Sequence, residues 1–119
     1  LFRSTSEISV KRLGSIGSLD PKVATPLALI VTELVANAIE HGITTKGSKV
    51  DVIFSRTGQS CVIKIEDDGV GLPDGFDLKS SSNLGLQIVR TLTENELHGT
   101  LEISGNEKGT TAQLRFEIR

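Results

Sequence analysis

The sequence predicts an α+β fold, a two-layer α/β sandwich in which a mixed sheet of about five strands carries about three helices on one face. Two observations support this prediction. Segments with the period of strands and segments with the period of helices follow one another in the order strand, helix, two strands, helix, two strands. The length of 119 residues also suits one domain, 1–119, with a single core, and no linker or internal repeat divides the chain.

The first strand and the first helix are predicted from short local signals. Ahead of a glycine- and serine-rich loop at 14–18, polar residues alternate with the apolar residues Ile8, Val10 and Leu13. At 20–21 an acid precedes proline, which predicts the N-cap and first position of a short helical turn. The pair 25–26 repeats this signal and opens a separate, longer helix, which ends at about His41 because Gly42 follows.

The longer helix has an apolar face and a polar face. The apolar residues recur at helical spacing and are predicted to pack on the sheet: Leu27, Ile30, Val31, Leu34, Val35 and Ala38. The opposite stripe is polar and consists of Glu33, Asn37, Glu40 and His41. Most polar stripes are solvated surface, but the composition of this one makes it a candidate for chemistry.

Further strands and a second helix follow. Strands are predicted at 49–56 and 61–67, a helix from Leu84 to about Glu96, and a closing hairpin at 100–104 and 110–118. Alternate residues share one face in the first strand (Val50, Val52, Phe54), in the second (Cys61, Ile63, Ile65) and in the last (Ala112, Leu114, Phe116, Ile118). The helix is marked by Leu84, Ile88, Val89 and Leu92.

Composition argues against several classes of function. A net charge of −2 provides no basic surface, so neither nucleic acid nor an anionic membrane is expected as a partner. The longest apolar run, 27–31, is too short to span a bilayer. The single cysteine, Cys61, excludes an internal disulfide and a cysteine-rich zinc site. The chain begins at Leu1 without a signal peptide, and we expect a cytoplasmic piece of a longer protein, either soluble or membrane-anchored.

The first candidate site is the pair Glu33 and Asn37. Residues four positions apart project from the same helical face, about 5–6 Å from each other. An asparagine oxygen is a hard, neutral ligand of the kind Mg²⁺ accepts beside water and substrate phosphates. A nearby glutamate suits the orientation or deprotonation of a nucleophile. The pair alone is also compatible with a plain exposed helix.

The second candidate site is Asp67 with the glycines that follow it. Asp67 is in register with the apolar residues of its strand and therefore points toward the core side. A carboxylate there needs hydrogen-bond donors, and a nucleobase amino group with a bridging water would supply one. Gly69 and Gly71 remove side chains where backbone and ligand approach each other. Thr110, which also faces inward at the start of the last strand, is placed to share this work. A simple Asp-Gly turn remains open at this stage.

The third candidate site is the start of the second helix. Free N–H groups at a helix N-terminus bind phosphate oxygens, and Gly85 would let those groups reach a ligand. Asn83 precedes the helix and is also compatible with a simple N-cap without any ligand.

Together these segments resemble a known superfamily. ELVANAIEHG, DDGVGLP, NLGLQIV and GTTAQLRFEI are similar, in order and spacing, to the N box, the G1 box, the G2 box and the terminal Gly-Thr strand of the GHKL ATPases, which share the Bergerat ATP-binding fold. That superfamily includes gyrase, heat-shock chaperones, mismatch-repair ATPases and histidine kinases. The resemblance covers about residues 6–119 and is greatest to sensor histidine kinases.

The resemblance implies roles for individual residues. Asn37 would coordinate Mg²⁺, Asp67 would recognise the adenine amino group, and Thr110 would support that contact through water. Glu33 matches the general base of the superfamily's hydrolases, and in a kinase it would instead position the attacking imidazole. The remaining nucleotide contacts implied by position are His41, Gly69, Gly71, Leu72, Asn83, Gly85 and Leu86.

The sequence also departs from the pattern of the superfamily. Glu40 replaces a basic residue often found three positions after the N-box asparagine, which removes one phosphate contact. The segment 72–84 is short and has no clear F box, so a mobile ATP lid is expected rather than a long ordered one. Lys79 and the serines 80–82 are expected near the phosphates.

The resemblance implies phosphoryl transfer from Mg·ATP to a histidine on the protein's own dimerisation and phosphoacceptor helical domain, which 1–119 lacks, with a response regulator downstream. Neither His41 nor His98 has the context of the acceptor, and His98 is expected at the surface. Two alternatives stay open: an anti-sigma-factor-type serine kinase, and a nucleotide-sensing interaction module without catalysis. P-loop, protein-kinase and calcium-loop motifs are absent from the sequence.

Overall fold

A computed structural model describes residues 8–42, 47, 49–72, 75–80 and 83–118. In this part of the chain the strands are β1 (Ser9–Gly14), β2 (Lys49–Thr57), β3 (Ser60–Asp67), β4 (Thr100–Asn106) and β5 (Gly109–Glu117). The α-helices are α1 (Pro21–Asn37) and α2 (Leu84–Asn95), with a π-helical turn at Ala38–Gly42 and a 3₁₀ turn at Leu78–Ser80. The predicted order of strands and helices is confirmed.

The strands form one mixed sheet in the order β1-β2-β3-β5-β4. β1 runs parallel to β2, while the other neighbouring strands are antiparallel. Two consecutive hairpins, β2–β3 and β4–β5, lie side by side, so β3 and β5 occupy the middle of the sheet. The ends of these two strands, at Asp67 and Thr110, are directly paired.

The core lies between the sheet and the two helices of the described part. Alternate residues of β2, β3 and β5 are buried as predicted, except that Phe54 and Ile118 are only partly buried. The helical segments contribute Leu27, Ile30, Leu34, Ala38, Leu86 and Val89. Cys61 is a free, buried cysteine, and burial raises the pKa of its thiol although nearby Arg56 lowers it. The segment Pro21–Glu40 is long and apolar enough to cross a membrane by composition. Most of its large apolar residues pack into or against this core, although Leu29 is 53% exposed.

The prediction of two separate helical pieces before residue 42 is wrong. α1 is continuous from Pro21 to Asn37 and contains Pro26. Asp20 caps it, because its side chain accepts a hydrogen bond from the Lys22 N–H at 2.9 Å. Proline is compatible with helical φ, and at this position it removes one bond, to the Lys22 carbonyl. Burial of Pro26 offsets that loss. The described residues therefore contain two α-helices where about three were expected.

Apolar residues of β1 and of α2 are exposed on the surface. Every residue of β1 is exposed, because this strand lies at the edge of the sheet and pairs only with β2. In α2 the buried residues are Leu86, Val89 and Thr93, whereas Leu84 is 69% exposed and Ile88 44% exposed. Of the apolar residues from which α2 was predicted, some therefore lie on its buried face and others are exposed.

Candidate functional site

The side chains of Asn37 and Asn83 meet where the end of α1 faces the start of α2. Asn83 Nδ2 donates a hydrogen bond to Asn37 Oδ1 over 3.3 Å. Asn83 Oδ1 accepts from the Leu86 N–H at 3.0 Å and so caps α2. Because the oxygen of Asn83 is engaged in the cap, its nitrogen faces Asn37, and Asn37 presents its own oxygen in return. Residues predicted from two separate motifs are therefore in contact.

This arrangement leaves one polar atom without a partner. Asn37 Nδ2 is buried and has no hydrogen-bond partner among the described residues. A buried donor without an acceptor is costly, and such groups in native proteins usually serve a ligand or an ordered water. An acceptor at this position, from an ordered water or a ligand, would satisfy the Asn37 nitrogen.

The donor set around Asn37 fits Mg²⁺. The Asn37 oxygen has two lone pairs, and Asn83 takes one of them, so one remains for a cation. Mg²⁺ commonly takes one or two protein oxygens and completes its octahedron with water and substrate phosphates. Within the described residues no group of three or more histidine, cysteine, aspartate or glutamate side chains forms an all-protein metal site.

Glu33 lies one turn before Asn37 on α1 and contacts the start of α2. A Cβ atom built on Gly85 would lie only 2.7 Å from Glu33 Oε2 and 3.2 Å from Asn83 Oδ1. Glycine at this position therefore allows the first turn of α2 to approach the carboxylate.

Asp67 is the second candidate position, at the end of β3. Its Oδ1 accepts a hydrogen bond from the Gly69 N–H at 2.9 Å. Burial raises the pKa of the Asp67 carboxyl, hydrogen bonds from the backbone N–H groups of Gly69 and Thr110 lower it, and Asp68 raises it. Burial is the largest of these causes, so the pKa lies above its ordinary value. A carboxylate has about four lone-pair sites, so Asp67 keeps acceptor capacity for a ligand.

The raised pKa predicts how Asp67 affects stability. The folded state binds this proton more tightly than the unfolded chain, so the contribution to stability is fully present below the unfolded pKa of about 3.8. It is lost as the pH rises through the folded pKa. We expect wild type to gain stability relative to Asp67→Ala when the pH falls from about 7 to about 4. Urea unfolding of both proteins across this range measures the difference, and a constant or opposite difference contradicts the assignment.

The loop after Asp67 packs against the β4–β5 hairpin. Gly71 has φ of +80°, and a Cβ atom there would lie 2.2 Å from the carbonyl oxygen of Asn106. Only glycine fits both the left-handed backbone and this close approach. Leu72 contacts the hairpin at Gly105, whose Cβ would lie 3.1 Å from Leu72 Cγ. Gly69 is buried in the same loop.

A π-helical turn follows Asn37 and contacts the strands that carry Asp67 and Thr110. Asn37 is the last residue of α1, and the turn Ala38–Gly42 that follows packs against β3 and β5. β3 ends at Asp67, which pairs with Thr110 near the start of β5. π-Helical turns are rare and often occur at functional sites. The turn thus connects the amide-bearing end of α1 to the strands that carry the carboxylate.

The other predicted site residues are placed as follows. The Leu86 side chain is buried in the core, and its N–H serves the Asn83 cap. Thr110 is half-buried opposite Asp67. Lys79 is exposed, and its N–H donates to Asp77 Oδ1 at 3.1 Å. The side chains of His41 and Ser80, and residues 81–82 entirely, lie outside the described part. His98 is exposed, as expected.

Sequence reasoning missed two features of this region. Asp68 ties the loop to β2, because its Oδ1 accepts from the Lys49 N–H at 3.0 Å. Phe76 and Leu78 pack against the core, so the segment 75–80 is attached to the domain although no F box is evident in the sequence. The sequence did contain a signal for each feature: an acid directly after β3, and two apolar residues in a short polar loop.

Comparison with known proteins gives a consistent picture. Residues 22–119 match the family described as histidine kinase-, DNA gyrase B-, and HSP90-like ATPase. The sensor histidine kinase PdtaS of Mycobacterium tuberculosis is 42% identical over 114 residues, which cover 93% of this chain and 23% of PdtaS. Blue-light-activated histidine kinase 2 of Erythrobacter litoralis is 30% identical over 116 residues, which cover 96% of this chain and 30% of that protein. The chain thus spans less than a third of these relatives.

A solved structure extends the comparison to the fold. The histidine kinase domain of the blue-light-activated histidine kinase from Erythrobacter litoralis EL346 superimposes with a TM-score of 0.85 at 26% identity. The match covers 94% of this chain and 55% of that one. The predicted α+β sandwich is confirmed by this likeness and by the strand order described above.

Proposed function

Since the chain belongs to the histidine kinase-, DNA gyrase B- and HSP90-like ATPase family, we propose that it is the ATP-binding catalytic domain of a two-component sensor histidine kinase. It transfers the γ-phosphoryl group of Mg·ATP to a histidine on the protein's own dimerisation and phosphoacceptor helical domain. The observation that carries this proposal is the convergence of Glu33, Asn37 and Asn83 where α1 meets α2. The relatives PdtaS and blue-light-activated histidine kinase 2 are named as histidine kinases, which supports the same activity.

The chain's contribution is to bind and orient the nucleotide. Asp67 accepts a hydrogen bond from the adenine amino group, and Thr110 supports the base through water. Asn37 holds Mg²⁺ through its oxygen and offers its unpartnered Nδ2 to a phosphate oxygen. The charge neutralisation that Mg²⁺ would supply to the phosphates would be placed by the Asn37 oxygen. The free N–H groups at the start of α2 face the phosphates.

Transfer exchanges one bond to phosphorus for another. The bond between the γ-phosphorus and the oxygen of the β-phosphate breaks, ADP leaves with that electron pair, and a nitrogen–phosphorus bond forms to the imidazole. Glu33 positions the imidazole by accepting a hydrogen bond from its second ring nitrogen. The alternative role, a general base for water, belongs to hydrolysis, and Glu33 is placed on the same helical face for either.

The acceptor lies outside residues 1–119 in this proposal. His98 is exposed after α2, and neither it nor His41 has the sequence context of a phosphoacceptor. The isolated domain is therefore expected to bind ATP without phosphorylating itself. In the cell it acts in the cytoplasm on its own helical domain, and a response regulator receives the phosphoryl group next.

Phosphotransfer to the helical domain tests the proposal. With the protein's own helical domain and γ-labelled ATP, we expect label on that domain that is lost in acid, because phosphohistidine is acid-labile. Asn37→Asp is expected to lower the rate by about 100-fold or more, since the amide that orients the phosphates is lost.

The alternatives predict different outcomes of the same assay. Acid-stable label on a partner protein would indicate an anti-sigma-factor-type serine kinase. Tight ATP binding without any transfer, even in the full-length protein, would indicate a nucleotide-sensing interaction module. Absence of acid-labile label with a competent helical domain contradicts the histidine kinase assignment.

A further inference from the structure

We propose that Asn83 is a positioning residue that sets the orientation of the Asn37 side-chain amide. This inference rests on the proposed function, because it assigns to Asn83 an action on the residue proposed to hold Mg²⁺. It differs from a direct nucleotide contact by Asn83. The observation behind it is the chain of hydrogen bonds that runs from the Leu86 N–H to the Asn83 oxygen, and from the Asn83 nitrogen to the Asn37 oxygen.

The helix cap determines which end of the Asn83 amide faces Asn37. The oxygen of Asn83 accepts a hydrogen bond from the Leu86 N–H at 3.0 Å. The side-chain nitrogen of Asn83 cannot occupy this position, because it would then face another donor. The Asn83 nitrogen is therefore directed at Asn37, 3.3 Å from its oxygen. Orientation of this amide follows from the backbone of α2 alone.

The same logic then orients Asn37. Rotating the Asn37 amide by half a turn would place its nitrogen against the nitrogen of Asn83, with no acceptor between them. The bond from Asn83 thus keeps the Asn37 oxygen at the surface shared with α2 and the Asn37 nitrogen on the other side, where it is buried without a partner. An unconstrained asparagine would populate both orientations, and only one presents an oxygen to a cation.

Packing around Asn83 supports this role. A Cβ atom on Gly85 would lie 3.2 Å from Asn83 Oδ1 and 2.7 Å from Glu33 Oε2. The first turn of α2 is therefore in close contact with Glu33, and its cap residue Asn83 contacts Asn37. The orientation of the Asn37 amide consequently depends on α2 being helical at its first turn.

Asn83→Ser separates the cap from the bond to Asn37. Serine is also a strong N-cap, so α2 is retained, but its side chain has no second polar group that reaches Asn37. We expect the tightening of ATP binding by Mg²⁺ to fall by about tenfold, the effect of one hydrogen bond, and ATP affinity without Mg²⁺ to fall by less than that. Titration calorimetry at zero and saturating Mg²⁺ measures both quantities.

A readout on the ligand-free protein tests the orientation itself. In wild type the side-chain ¹⁵N–¹H signals of Asn37 should indicate a single amide orientation, and in Asn83→Ser they should shift or broaden. Asn37→Asp is the control variant in which orientation does not matter, because both ends of a carboxylate are oxygen atoms. There Asn83→Ser should cause no further loss of Mg²⁺ dependence, so the two substitutions are non-additive.

The outcomes separate this inference from the proposed function. If wild type shows Mg²⁺-dependent ATP binding and Asn83→Ser shows the same dependence, the role of Asn83 is overturned while the proposed function stands. Unchanged Asn37 signals in Asn83→Ser also overturn it. If wild type shows no Mg²⁺-dependent binding, both fail. Should Asn83→Ser prove unstable, Asn83→Asp provides a second test, since it keeps the cap and removes the same donor.

Discussion

Asp67→Asn is expected to weaken ATP binding by about 100-fold, because it removes a charge-assisted hydrogen bond to the adenine amino group. In the folded protein Asp67 already accepts N–H groups from Gly69 and Thr110. An asparagine there would turn an amide N–H₂ either toward these donors or toward the adenine amino group. In either orientation the amide N–H₂ group would face another donor, with no acceptor between them.

Nucleotide specificity provides the sharper measurement. Inosine triphosphate carries an oxygen where ATP carries the amino group, so wild type should prefer ATP strongly and Asp67→Asn should lose most of that preference. Glu66→Gln is the matched control, because Glu66 is adjacent in β3 and points to the opposite face of the sheet. A variant of Asp67 that keeps wild-type affinity and preference would remove Asp67 from the adenine site.

Gly109→Ala is expected to cause the largest loss of stability, about 4 kcal/mol. Gly109 has φ of +137°, and a Cβ atom there would lie 1.9 Å from the carbonyl oxygen of Asp67 and 3.0 Å from the Cα of Asp68. These are backbone atoms of the neighbouring strand end, so the clash is relieved only by moving β5 away from β3. That movement separates Thr110 from Asp67, and nucleotide affinity should fall with stability.

Gly58→Ala controls for backbone conformation without a clash. Gly58 also has positive φ, +62°, but a Cβ atom there meets no atom within 4 Å. Its cost should be limited to the left-handed backbone, about 1 kcal/mol. Urea unfolding of both variants measures the free energies of unfolding. Equal losses would show that conformation rather than the approach to Asp67 explains Gly109.

Much of the fold follows from local patterns. The alternation of Cys61, Ile63 and Ile65 predicted one buried face of β3 and correctly placed Asp67 on it. Gly42 ends the helical segment close to the predicted boundary. Asp20 caps α1 because an acid before proline suffices to start a helix. In each case the physical cause acts within a few residues, so the sequence by itself contains it.

Other features depend on what each element packs against. Thr25 and Pro26 carry a start signal in the sequence, yet they lie inside α1, because burial of the proline compensates for one lost bond. Leu84 and Ile88 are apolar but exposed, since the contact between α1 and α2 turns Leu86 and Val89 inward instead. Local periodicity cannot determine which side of a helix faces its neighbour.

The sequence by itself determined the order of elements, the identity of the family's motifs and the residues available for chemistry. Only the tertiary structure decided which of them touch. Asn37 and Asn83 are separated by 46 positions, and their hydrogen bond exists because α1 and α2 meet at their ends over the same sheet. Such a contact depends on the packing angle and register of two helices, which arise from the core as a whole rather than from either segment.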